Sequence, residues 1–158
     1  LTAFGQKAVI VLATGLFSGY APVAPGTFGT LVSIPLSYLL SRLSLPGTAL
    51  VLGLVLILAV WSAGVAEGLF GQKDSGRIVI DEIAGFLVTM WFVPWRAETV
   101  VGGFLVFRFM DIVKPFPIRL LERRLPGGWG VVGDDVLAGL YANVTLRILL
   151  VIKASMMG

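Results

Sequence analysis

Residues 43–66 read LSLPGTALVLGLVLILAVWSAGVA, 24 positions without a charge. About 20 apolar residues in a helix cross the hydrocarbon core of a bilayer. A buried helix of a large soluble protein can look the same, but a chain of 158 residues has too little other protein to cover it. A second charge-free run, 8–41, is interrupted only by PVAPG at 22–26. Hydrophobic residues make up 57% of the chain and mean hydropathy is +0.96, well above globular composition. The solvent of this chain is therefore mostly lipid.

Period-2 strand patterns are absent, and open strands cannot satisfy their backbone groups in lipid. The expected fold is all-α, a polytopic membrane bundle of about six helical segments forming one domain over 1–158. These segments are 4–17, 28–43, 48–70, 80–93, 98–113 and 134–153, with a short amphipathic helix at 117–125. Pro115 ends the fifth by disfavouring helix in the residue before it. The stretch PGGWGVVG, 126–133, reads as a loop that Asp134 closes by opening the last helix. No cleavable leader is evident after LTAFGQK.

Two absences narrow the chemistry. There is no cysteine and no histidine, which removes disulfides, thiolate nucleophiles, phosphohistidine and soft or imidazole metal ligands. An enzyme built from this chain must work with carboxylates, Lys, Arg, hydroxyls and a hard metal.

Charge is scarce and unevenly placed. The stretch RFMDIVKPFPIRLLERR, 108–124, holds seven of the 21 charged residues in 17 positions. Six crossings place the loops at 18–28, 67–80 and 114–134 on one face. Eight of the nine acids then fall on that face, and only Glu98 lies opposite. Seven cations share it (Lys73, Arg77, Arg108, Lys114, Arg119, Arg123 and Arg124) against five on the other, so positive-inside counting makes the crowded face cytoplasmic. The net charge of +3 does not suggest nucleic acid, because the cations lie beside apolar spans and acids and suit anionic membrane lipids.

Three acidic positions sit at the ends of apolar helices. Asp81-Glu82 precedes IAGFLVTMWFV, Asp111 closes VGGFLVFRFM, and Asp134-Asp135 precedes VLAGLYANV. Acids at membrane depth face a protein interior where something compensates them. Converging carboxylates repel one another unless a cation is present. Oxygen-only ligands point to Mg²⁺, with Mn²⁺ as substitute. Against this stand plainer readings. Asp81 or Asp134 alone suits a helix N-cap, and Asp111 an ion pair with Arg108 or Lys114, each one turn away.

Arg108, Asp111 and Lys114 fall along one side of a helix, placing an acid between two phosphate-binding cations. Arg119, Arg123 and Arg124 follow near the headgroup layer, where membrane anchoring suffices for the last two. The loop APVAPGTFGT, 21–30, adds Gly26, where backbone can approach an anion, and the hydroxyls of Thr27 and Thr30. Gly85 and Gly139, one turn after Glu82 and Asp135, permit the close helix packing that would bring the acidic pairs together.

The blocks APVAPGTFGT, IVIDEIAG, FRFMDIVKPFPIR and GGWGVVGDDVLAG, in this order, resemble the bacterial phosphatidylglycerophosphatase A family from about residue 15 to 143. The resemblance implies a Mg²⁺-dependent, multi-pass phosphatase of the bacterial inner membrane. Such an enzyme removes the terminal phosphate of phosphatidylglycerophosphate to leave phosphatidylglycerol, at a site facing the cytoplasm. Glu82, Asp111, Asp134 and Asp135, with Asp81 beside them, take metal or catalytic roles. Asp134 is the expected base, Asp111 and Lys114 its catalytic companions, and Arg108, Lys114, Arg119, Gly26, Thr27 and Thr30 the substrate contacts. Two alternatives predict different patterns. An ion- or proton-coupled transporter needs charges in mid-membrane, and a non-catalytic lipid-binding subunit does not need paired acids at helix ends.

Overall fold

The computed structural model describes residues 1–157, with the side chains of Glu122 and Arg123 outside the described part. The expected headgroup role of Arg123 therefore lies outside the described residues. Among these residues the chain is all-helical: α1 (Ala3–Ala13), α2 (Pro25–Ser41), α3 (Leu45–Phe70), α4 (Ile80–Thr89), α5 (Ala97–Val113), α6 (Ile118–Arg124) and α7 (Gly128–Met157), with a 3₁₀ turn at Ser18–Tyr20.

Two helices, α3 and α7, are long and apolar enough to cross a membrane. At 1.5 Å per residue, 26 and 30 residues reach about 39 and 45 Å. Both carry belts of exposed large hydrophobics, among them Leu50, Leu54 and Ile57 on α3 and Val144, Ile148 and Val151 on α7. Such contiguous apolar surface suits lipid contact. At the end of the bundle away from the paired acids, Lys153 Nζ donates to Glu98 Oε2 at 2.5 Å. Lys153 follows Asp135 by 18 residues of continuous helix, about 27 Å, close to the ~30 Å hydrocarbon thickness.

The shortest of the core helices lies at the centre. α4 packs against α2, α3, α5 and α7, and every one of its ten residues except Glu82 is buried. After its two acids the sequence IAGFLV is apolar on every side, which suits that position. Its Phe86 ring meets Phe107 of α5 edge-on, with centroids 6.3 Å apart. Ten residues reach about 15 Å, half the hydrocarbon core, so α4 alone is too short to span it, and the chain reaches the start of α5 through residues 90–96.

Several boundaries differ from expectation, each for a local reason. α1 ends at Ala13 because Gly15, Leu16 and Phe17 all take positive φ. α4 ends at Thr89, short of Val93. α2 begins at Pro25, where a proline suits the first helical turn; Gly26, Thr27 and Thr30 are therefore helical rather than in a loop. The largest correction concerns α7. It begins at Gly128, so GGWGVVG is mostly helix and Asp134 is not an N-cap. Gly128 lies against α3 so tightly that a side chain there would collide with the Val60 carbonyl. Burial of a small-residue face between long helices outweighs the weak helix propensity of glycine.

Candidate metal and phosphate site

Asp81 and Glu82 occupy the first turn of α4, whose N-cap is Val79 and which has no side-chain cap. The capping role open to Asp81 is thus not used, and both carboxylates point to neighbouring elements. Asp135 reaches them from the second turn of α7. Asp81, Glu82 and Asp135 each present an oxygen, and the three oxygens lie within 4.8 Å of one another. Asp81 and Asp135 are buried, at 7% and 3% exposure. Arg108 links Asp111 to this trio through Glu82, and Asp134 adjoins Asp135 in the chain. All five acids singled out by sequence therefore belong to one electrostatic neighbourhood.

Two cations border this cluster. Arg108 Nη1 donates to Asp111 Oδ2 at 2.6 Å and lies 3.8 Å from Glu82 Oε1. Lys114 Nζ donates to Asp134 Oδ2 at 2.6 Å. The ion pair open to Asp111 from its spacing is thus formed with Arg108, and the same guanidinium ties Asp111 to Glu82. Asp111 and Asp134 each accept a hydrogen bond from a cation and Glu82 shares Arg108 at the longer distance, whereas Asp81 and Asp135 have no ion pair among the described residues.

The donor set fits a hard divalent cation. Asp81 Oδ1 and Glu82 Oε2 are buried oxygens with no hydrogen-bond partner, an expensive condition for carboxylates in a low-dielectric interior. Three convergent carboxylates in a chain without histidine or cysteine suit Mg²⁺ or Mn²⁺ and offer nothing to a softer metal.

The expected substrate contacts are distributed unevenly. Gly26, in the first turn of α2, touches the cluster directly: a methyl group there would collide with Glu82 Oε1 and lie 3.1 Å from Arg108 Nη1. Thr27 is half-buried beside it. Thr30 is fully buried, its hydroxyl donating to the Gly26 carbonyl at 2.8 Å. Arg119 is exposed and donates to the Val113 carbonyl at 3.1 Å, at the end of α5.

One supporting residue escaped the sequence reading. Asn143 of α7 is buried, and its Nδ2 donates to the carbonyls of Val88 (3.3 Å), Thr89 (2.8 Å) and Trp91 (2.8 Å). Arg147 donates to Asn143 Oδ1 at 2.8 Å and to the Trp91 carbonyl at 2.9 Å. These contacts satisfy the carbonyls left open where α4 ends. The available signal was an amide and a cation four residues apart in the apolar run YANVTLRILL.

Comparison with known proteins matches residues 11–150 to the profile of a family described as phosphatidylglycerophosphatase A. The chain is 38% identical over 133 residues to Escherichia coli K12 phosphatidylglycerophosphatase A, covering 84% of this chain and 77% of that one. It is 37% identical over 140 residues to the Haemophilus influenzae Rd protein of the same name, covering 86% and 85%. It is also 36% identical over 147 residues to a Bacteroides thetaiotaomicron protein provisionally named phosphatidylinositol-3-phosphatase, covering 88% and 91%. No solved structure matches significantly.

Proposed function

The chain belongs to the phosphatidylglycerophosphatase A family, and on that premise we propose that it hydrolyses the terminal phosphate monoester of phosphatidylglycerophosphate, giving phosphatidylglycerol and inorganic phosphate. The observation that carries this reading is the meeting of three carboxylate oxygens within 4.8 Å, bordered by Arg108 and Lys114. A metal-binding nest beside phosphate-binding cations is what phosphoryl transfer requires.

Asp81, Glu82 and Asp135 would hold Mg²⁺, with Asp111 and Asp134 at its border. Bound there, the ion supplies Lewis-acid polarisation of the phosphoryl oxygens. Arg108 and Lys114 bind the equatorial oxygens, where negative charge must be stabilised in the transition state. The first turn of α2 has no side-chain cap, so its positive end, Gly26 and the Thr27 hydroxyl face the same phosphate. Asp134 takes a proton from the attacking water as its oxygen bonds to phosphorus. The phosphorus–oxygen bond to the glycerol then breaks, and that proton passes to the departing oxygen. Lys114, bonded to Asp134, keeps its carboxylate oriented throughout.

In this reading the membrane is the bacterial inner membrane with the acidic face toward the cytoplasm, which the excess of cations on that face supports. The lipid headgroup enters at that face, and the acyl chains stay among apolar helices.

The test is phosphate release by the purified protein in detergent, with Mg²⁺ and then with EDTA. Release that EDTA abolishes is expected. A folded protein that releases none with Mg²⁺ or Mn²⁺ would sink the proposal. A 3-phosphorylated inositol lipid is the second substrate to assay, because one relative of similar identity carries that name.

A further inference from the structure

Arg77 precedes Asp81 by four residues in the connection from α3 to α4, so their Cα atoms are within about 14 Å. Its guanidinium carbon lies 5.0 Å from the centre of the Phe70 ring and 5.9 Å from that of Tyr20. Two aromatic faces thus hold this charge in place. None of the ion pairs among the described residues involves it. The backbone around it is fixed as well. A methyl group on Gly19 would collide with the Arg77 carbonyl, and Val79 N donates to the Ala13 carbonyl at 2.9 Å. Arg77 is therefore locked to the turn that joins α1 to α2.

Beside that turn a cavity of about 260 Å³ opens between α1, α2, α3 and α4. Leu12, Leu16, Val32, Leu36, Val55 and Ile83 line it, with no charged side chain. Gly15, also in its wall, contacts the 3₁₀ turn: a methyl group there would sit 3.0 Å from Ser18 Oγ. The cavity and the acidic nest share the first turn of α4. Ile80 and Ile83 face the cavity, while Asp81 and Glu82 face the nest.

A phosphatidylglycerophosphate molecule carries two phosphates, the terminal monoester and the diester that joins glycerol to the acylated half. Placing the monoester at the carboxylate nest leaves the diester without an assigned place and the chains without a named groove among the helices. We infer that Arg77 binds this linking phosphodiester and that an acyl chain of the same lipid occupies the cavity between α1 and α4. The occupant follows from charge and continuity. A cation with no ion pair among the described residues is clamped four residues before Asp81, at the helix turn that carries the metal-binding acids, and the apolar cavity borders that same turn. The inference rests on the proposed reading of the nest and extends it to the rest of the substrate.

Phosphatidylglycerol is the probe, because it carries the linking diester and the chains and lacks the terminal phosphate. Its retention by the full chain in detergent, read by native mass spectrometry, does not depend on turnover. Arg77→Gln should weaken retention of the dioleoyl lipid about tenfold, the loss of one charge-assisted contact. Leu36→Trp, which fills the cavity, should weaken retention of the dioleoyl lipid and leave the dihexanoyl lipid unchanged. Val32→Phe serves if Leu36→Trp does not fold. Inhibition by inorganic phosphate should be the same in all of them. Undiminished retention by Arg77→Gln, or equal loss of long and short chains in the cavity variant, overturns the inference. Wild-type retention of phosphatidylglycerol without any phosphate release would instead overturn only the proposed hydrolysis.

Discussion

Gly85 of α4 and Gly139 of α7 meet backbone to backbone. A methyl group on Gly139 would collide with the Gly85 carbonyl, and one on Gly85 would lie 2.7 Å from the Asp135 carbonyl oxygen. Thr89 Oγ1 closes the contact, donating to Gly85 O at 3.0 Å and Gly139 O at 3.4 Å. Glu82 and Asp135 stand one turn before these glycines, so the approach of the two backbones sets the approach of the two acids. Gly139→Val should cost about 1–3 kcal/mol of stability through overpacking and weaken Mg²⁺ binding as the helices part. Thermal melting with and without Mg²⁺ checks both. Unchanged metal affinity would show that the carboxylates converge independently of this contact.

Gly26 tests the same nest from the side of α2. Because its Cβ position overlaps Glu82 Oε1, Gly26→Ala should displace that carboxylate while leaving the fold intact. A misplacement of this size lowers turnover by about 100-fold. The measurement is phosphate release beside the melting temperature, and wild-type turnover in the alanine variant would place Glu82 outside the working site.

Asp111 and Arg108 form a pair whose members should not behave alike. In Asp111→Asn the amide still accepts from Arg108, so the melting temperature should stay near wild type while turnover falls about 100-fold or more. Arg108→Gln should raise the Mg²⁺-saturated KM as well as lower kcat, because its guanidinium also lies 3.8 Å from Glu82 and is the proposed contact for the substrate phosphate. An active Asp111→Asn enzyme would reduce Asp111 to a structural partner of the arginine.

At the opposite end of α4 the expectation reverses. Asn143→Leu leaves the carbonyls of Val88, Thr89 and Trp91 without their shared donor, at a cost of about 1–3 kcal/mol. Turnover per folded molecule at moderate temperature should change far less than in Gly26→Ala. A variant as stable as wild type would mean that water or Arg147 replaces the amide.

The acidic nest was legible in the sequence because carboxylates are rare there and each begins or ends an apolar run. Asp81, Glu82 and Asp135 could be singled out without coordinates. Their division of labour was not. Whether Asp111 faces a metal or Arg108 depends on side-chain directions set by α4, α5 and α7 together, and sequence spacing allows both. The start of α7 was misread for a related reason. Local propensity makes GGWGVVG a loop, while the fit of Gly128 against Val60 is a tertiary fact. Asn143 passed unnoticed because a single amide in an apolar run has a meaning only once the end of α4 is known to lie beside it.

The brevity of α4 has a mechanical outcome. It is a post of about 15 Å, bearing two acids at its head and tied by Asn143 and Arg147 at its foot. With the foot hooked to α7 and the head facing Asp135 on that same helix, the post cannot slide along its neighbour. With the proposed site at the head of α4, the depth at which a headgroup presents its phosphate is set by a ruler internal to the protein. Bilayers of different thickness would tilt the molecule or draw up around it, but would leave that depth relative to α7 unaltered.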